Sequence, residues 1–227
     1  MRKLLILVFF LASPLLYSEK DPFIEINKKT HQFNQSIDNA IGVPIAKGYK
    51  TITPDFLEVG ISNFTSNIED INISLNNFLQ GKFKDGLSDL LRFFINSSIG
   101  LAGMVDVASD LGLMKHDEDF GQTLAKWGVD HGPYIVLPVL GPSSLRDVVS
   151  KIPDAFLTPL LLINHHRTSY ELTAVELLDR RSRYLGLEQI VMGDDYIFFR
   201  DSYFQNRNFE INDGLIEDDF IDFGFED

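Results

Sequence analysis

The residues closest to hydrolytic chemistry are the two serines of Ser143-Ser144-Leu145-Arg146-Asp147. A serine nucleophile needs a base within hydrogen-bond reach and a third group to orient that base. Nothing in the local sequence supplies the base. The same letters fit a helix N-cap followed by a first turn, because a serine oxygen accepts from exposed backbone N–H groups. The five histidines are scattered. His165 and His166 are adjacent, so on a helix they diverge by roughly 100° and cannot serve one metal. Cysteine is absent, which removes thiolate nucleophiles, thiolate metal ligands and disulfides. Asp117, Glu118 and Asp119 read as a solvated acidic run. HExxH, GxSxG, P-loop and GxGxxG patterns are all missing. The sequence therefore predicts no catalysis, no metal and no cofactor.

Charge narrows the partners. The 227 residues carry a formal charge of −13, which argues against nucleic acid, whose binding requires a basic surface. Acids concentrate from Glu210 to Asp227, where Phe220, Phe223 and Phe225 are interleaved and Lys and Arg are absent. Two readings of that tail stand: a solvated flexible end, or a docking segment for a basic, apolar partner. At the other end, MRKLLILVFFLASPLLYS (1–18) has a basic start, a short apolar run and a small residue at its close. That is the pattern of a secretory signal peptide and predicts export, with an uncleaved anchor as the alternative although the apolar run is short of the ~20 residues of a span. No cysteine follows it to carry acyl chains, so an anchor of that kind is not expected.

The elements that position these residues read as helices. Phe23, Ile26, Phe33 and Ile37 recur near helical spacing, with Asn27, Gln32 and Asn34 among them, and IGVPIAKGY then reads as a turn and link. Leu57, Ile61, Phe64, Ile68, Ile71, Leu75 and Phe78 alternate in steps of four and three, a continuous stripe on a helix of about seven turns. Pro54 suits its start and Gly81 its end. The opposite face carries Asn63, Asn67, Asn72, Asn76 and Asn77, which fits either a lined cavity or an indifferent solvent face. A second stripe runs through Phe83, Leu87, Leu90, Leu91, Phe94 and Ile95, with Phe93 beside it, before the chain becomes apolar all round. Leu145 onward reads as two short helices interrupted by Pro153 and Pro159. A long helix is expected from Ser169 to Leu187 and another within DDYIFFRDSYFQNR. No strand-like alternation is evident, and the fold class is all-α.

One stretch resists that assignment. GPYIVLPVLGPSSLRD (132–147) is apolar, yet Pro133, Pro138, Pro142, Gly132 and Gly141 break it. By the proline rules, Leu137, Pro138, Val139, Leu140, Gly141 and Pro142 fit neither helix nor sheet. No apolar run of the mature chain approaches the ~20 residues of a membrane span. Amphipathic helices can instead lie in a membrane interface, with irregular backbone tolerated where it lines a passage. A soluble helical lipid carrier or an ordinary core loop competes with that reading.

Five segments together resemble the MlaA/VacJ family of Gram-negative outer-membrane proteins. They are DPFIEINKKTHQFN (21–34), GISNFTSNIEDINISLNNFLQGKF (60–83), RFFINSSIGLAGMVDVAS (92–109), DFGQTLAKWGVDHGPYIVLPVLGPSSLRD (119–147) and DDYIFFRDSYFQNR (194–207). The resemblance implies one ring-like helical domain over 19–209, lying in the membrane interface, with a Pro/Gly-broken hairpin beside a central channel. It implies a phospholipid-translocating protein that removes mislocalised phospholipids from the outer leaflet. Its implied partners are the outer membrane, phospholipids, a trimeric porin and a soluble periplasmic lipid carrier. Residues 137–142 fall at the channel hairpin. Asn27, Gln32, Phe33 and Asn34 fall on a helix that holds the channel shut, and Phe64, Phe78, Phe93 and Phe94 on a membrane-facing or packing stripe. A soluble periplasmic lipid-binding or structural protein remains the alternative.

Overall fold

The computed structural model describes residues 21–157, 166–187, 191 and 193–215. The expected signal segment 1–18, Pro159, His165 and the tail beyond 215 lie outside the described residues. Helix α1 (Ile24–Ile37) runs without a break into a π-helical turn (Asp38–Gly42) and α2 (Val43–Ile52). Helices α3 (Asp55–Leu79) and α4 (Phe83–Ser98) form the longest antiparallel pair. Two short helices follow, α5 (Val107–Asp110) and α6 (Phe120–Lys126). The strands β1 (Tyr134–Leu137) and β2 (Gly141–Ser144) then lead into α7 (Leu145–Leu157), α8 (His166–Arg183) and α9 (Asp195–Ile211). The helical architecture agrees with the sequence expectation, and none of the described helices is long and apolar enough to cross a membrane.

The α3 boundaries follow from local chemistry. Pro54 takes the N-cap. At the other end the Gly81 N–H donates to Phe78 O and the Lys82 N–H to Asn77 O, a Schellman closure. It requires a left-handed residue, and Gly81 has φ +82.

Three local expectations are corrected. IGVPIAKGY is helical, not a turn. Pro44 lacks the N–H that would bond back to Ala40, and the π turn just before it absorbs the mismatch. Pro153 does not break α7, which is one helix. The next residue, Asp154, accepts hydrogen bonds from Asn72 Nδ2 of α3 (3.1 Å) and from Phe120 N of α6 (3.0 Å), so tertiary contacts hold the second half in line. The stretch 134–144 is a regular antiparallel hairpin, with Leu137 opposite Gly141 and Val136 opposite Pro142. In a two-stranded ribbon each strand has one free edge, and proline is tolerated at an edge position.

The layering is inverted relative to a water-soluble bundle. Along α3 the buried side chains are Glu58, Asn67, Asp70, Ser74, Asn76 and Asn77, with Ile73 alone as a large apolar residue. Along α4 they are Asp89, Arg92 and Asn96, whereas Phe83 is 69% exposed and Phe94 58%. Among the described residues, buried polar side chains far outnumber buried apolar ones. The small apolar core consists of Tyr134, Val136 and Tyr196, packed against Tyr203 and Phe204.

Candidate functional site: a polar cavity and a clamped hairpin

The inward face of α3 opens on a cavity of about 810 Å³. Its wall combines Ser62, Thr65, Ser66, Glu69, Asn72 and Ile73 of α3, residues 115–119 of the following link, and Glu176, Arg180, Arg183 and Tyr184 from α8 and its end. Among the described residues, Ile73 is the one aliphatic lining residue. Asn72 therefore lines a cavity, while Asn67, Asn76 and Asn77 turn into a buried network. Asn77 Nδ2 donates to Asp89 Oδ2 (2.9 Å), Thr123 Oγ1 to Asn76 Oδ1 (2.9 Å), and Asn67 Nδ2 to Ser97 Oγ (2.9 Å). The solvent-face reading is thereby excluded for these four asparagines, while Asn63 makes an exposed bond to Met104 O.

Behind the wall, Arg92 is 2% exposed and pairs with Asp106 (3.0 Å), while its Nε lies 3.6 Å from Asp70. It also donates to Ser109 Oγ (2.9 Å) and to Leu113 O. Lys115 donates to Asp70 Oδ1 (2.7 Å). These bonds fasten residues 106–115 to α3 and α4 and so fix one side of the cavity.

The acidic run is not solvated as a unit. Asp117 is exposed, but Glu118 is 6% exposed and accepts from Gln80 Nε2 and Lys82 Nζ, both at 2.6 Å. Asp119 caps α6 by accepting from Gln122 N (2.7 Å) and pairs with Arg207 Nη2 (2.7 Å). These cations are remote in sequence, so the local charge run gave no sign of them. Burial pushes the Glu118 carboxyl above its usual range, against the pull of Lys82 and Gln80. Burial likewise raises Glu69, opposed by Arg180. Ser144 does cap α7: its Oγ accepts from Asp147 N (3.2 Å). Ser143 is buried in β2.

A second structure joins two segments that looked separate in the sequence. Asn27 and Asn34, seven residues apart on α1, each bridge the backbone of the hairpin. Asn27 Nδ2 donates to Tyr134 O (3.0 Å) while its Oδ1 accepts from Val136 N (2.9 Å). Asn34 Nδ2 donates to Leu137 O (2.9 Å) while its Oδ1 accepts from Val139 N (2.7 Å). Asn27 occupies backbone groups that a neighbouring strand would otherwise take, and Asn34 ties down the turn that follows β1. His31 lies between them on the same side of α1, buried against Tyr196 and Phe199. Val139 sits at the tip with φ +67, a strained value for a β-branched residue.

The family model for MlaA lipoprotein matches residues 19–210.

This chain belongs to the MlaA family.

The intermembrane phospholipid transport system lipoprotein MlaA of Escherichia coli is 32% identical over 203 residues, 87% of this chain and 80% of that protein. That of Shigella flexneri is 34% identical over the same span and shares. An uncharacterized protein of Rickettsia typhi is 34% identical over 191 residues, 82% of this chain and 76% of its own. A solved structure from work on the structural basis for maintenance of bacterial outer membrane lipid asymmetry superposes with TM-score 0.77 at 33% identity. It covers 86% of this chain and all of that chain.

Within this MlaA-family fold, the expected site residues separate into three groups. Val139 (68% exposed) and Leu140 (63%) form the hairpin tip, and residues 137–142 are not among those lining the large cavity. Pro142 lines a smaller one of about 190 Å³ between β2, α7 and α9. Gln32 and Phe33 point outward from α1, so its docking face is Asn27, His31 and Asn34 and not the apolar stripe. Phe94 is exposed, and Phe64, Phe78 and Phe93 are half-buried. Sequence reasoning missed Arg92, Arg180 and Arg207. A usable signal existed: Asn67, Asp70, Ser74 and Asn77, and likewise Asp89, Arg92 and Asn96, repeat at helical spacing as a polar face.

Proposed function

We propose that this chain is an outer-membrane phospholipid-translocating protein that removes phospholipids mislocalised in the outer leaflet and passes them to a soluble periplasmic carrier, without catalysis. The observation that carries this reading is the inverted layering around the polar cavity. Exposed Phe83, Leu87, Leu91 and Phe94 offer acyl chains an apolar outer face, while a charged interior offers a headgroup a path that bare hydrocarbon denies it. Family membership and the named transport proteins support the same reading. Residues 137–142 form a hairpin beside the passage, outside the lining of the polar cavity, and Asn27 and Asn34 of the restraining helix hold it. Phe64, Phe78, Phe93 and Phe94 face lipid or a trimeric porin. The test is deletion of the gene followed by an outer-leaflet phospholipid assay, with fractionation of the complemented strain. Raised outer-leaflet phospholipid and recovery of the protein with the outer membrane are expected. Full recovery in osmotic-shock fluid without detergent would favour a soluble lipid-binding protein instead.

A further inference from the structure

The charges lining the cavity are unequal, and their pairing leaves one sign over. Among the described residues the lining holds the carboxylates Glu69, Asp117, Glu118, Asp119 and Glu176 against the cations Lys115, Arg180 and Arg183, while the imidazole of His116 is held by Asp85 and Asp89 outside the lining. Each of those cations is already occupied. Lys115 is drawn back onto buried Asp70, and Arg183 Nη2 pairs with buried Asp179 (3.1 Å). Arg180 Nη2 is shared between Glu69 (2.9 Å) and Glu176 (3.1 Å). Glu118 and Asp119 are matched from outside the lining by Lys82 and Arg207. The unmatched charge is therefore negative. It lies at Asp117, which projects exposed from the wall, and at the Glu69–Glu176 pair, where two carboxylates divide one guanidinium. Tyr184, 57% exposed, adds an aromatic ring to the same wall.

Taking the cavity as the headgroup path proposed above, we infer that it selects phospholipids whose headgroup carries an ammonium over those with anionic headgroups. Every phospholipid brings a phosphate, and the phosphate can share Arg180 or Arg183 with their present carboxylates. What differs is the rest of the headgroup. An ethanolamine ammonium meets the surplus carboxylates and the face of Tyr184, both attractive to a cation. A glycerol headgroup brings no cation, so its phosphate charge faces the surplus uncompensated. The cavity volume falls in the range of small-ligand sites and admits a headgroup without its acyl chains.

The experiment uses the full chain in neutral detergent, titrated with short-chain phosphatidylethanolamine and, separately, with short-chain phosphatidylglycerol, at low and at high salt. The ethanolamine lipid is expected to bind about tenfold more tightly at low salt, the preference shrinking as salt screens it. Asp117→Asn and Glu176→Gln should each cut the ratio several-fold, Asp117→Lys should bring it to one or reverse it, and Tyr184→Leu should weaken the ethanolamine lipid selectively. Circular dichroism of each variant is recorded in parallel, and the wild-type ratio decides the matter independently of any variant. Equal affinity for the two lipids in the wild-type chain, or an unchanged ratio in a folded Asp117→Lys protein, overturns the selectivity while leaving transport standing. Binding of neither lipid, together with a silent deletion strain, overturns the transport reading itself.

Discussion

The α3–α4 pair and the hairpin region solve the same packing problem in opposite ways. Between α3 and α4 the interior is ionic: Arg92, Asp70 and Asp89 are essentially inaccessible, while Phe83 and Phe94 face outward. Around the hairpin the interior is aromatic, with Tyr134 against Tyr196, Tyr203 and Phe204, and a polar clamp is laid over it by Asn27 and Asn34. In water the first arrangement would be costly, because buried charge is desolvated while apolar surface stays wet. Beside lipid the second of those costs disappears, and only the internal pairing has to hold. The lesson is that the ionic region depends on an apolar surrounding and on its internal ion pairs, whereas the hairpin region depends on ordinary burial.

The sharpest way to break the comparison is Arg92→Ala. It leaves Asp70 and Asp106 without their guanidinium, and removing one partner of a buried pair costs about 3–5 kcal/mol. A large fall in the thermal midpoint of the detergent-solubilised protein is expected, with residues 106–115 becoming protease-sensitive. Next comes Asn27→Leu. It strips Tyr134 O and Val136 N of their partners, at a cost of about 1–3 kcal/mol for each group left unsatisfied. Deletion of Gln32 and Phe33 does the same by geometry, rotating Asn27 relative to Asn34 by roughly 200° so that both cannot reach the hairpin. Released restraint should admit phospholipid to the outer leaflet as a gain of function. A phenotype identical to gene deletion counts against the restraining role.

A smaller effect is expected from acid. Burial lowers the His31 pKa below 6.5, although Asp195 and Asp194 pull it upward. A depressed histidine pKa means the docked helix prefers neutral imidazole. Its contribution is complete above about pH 6.5 and is lost as pH falls through the folded value. Hydrogen exchange of α1 should quicken on acidification, and His31→Phe should flatten that dependence. The smallest stability change belongs to Val139→Asp. The site is exposed, and aspartate tolerates the left-handed conformation better than valine, so stability should move by no more than about 0.5 kcal/mol. Protein abundance should stay normal while outer-leaflet phospholipid rises toward the null level. Loss of function only alongside loss of protein would reduce the tip to packing.

Helix existence was legible in the sequence because periodicity is a local property, and α3 from Pro54 to Gly81 is the clearest case. The broken stretch was misread because proline rules describe sheet interiors, and this hairpin has only edges. Of the candidate site, Asn27 and Asn34 could be placed on one helix, but not the carbonyls and N–H groups they bind, about a hundred residues away in the chain.

The sequence by itself determined the long helices from Pro54 to Ile95, their apolar stripes, the absence of the common catalytic motifs and the family. The tertiary structure decided which face of each helix is the inside. Amphipathic periodicity gives two faces and no sign, and a reader who assumes water puts the apolar one in the core. Only the long-range partners of Asn67, Asp70, Asp89 and Arg92 turn the helices the other way.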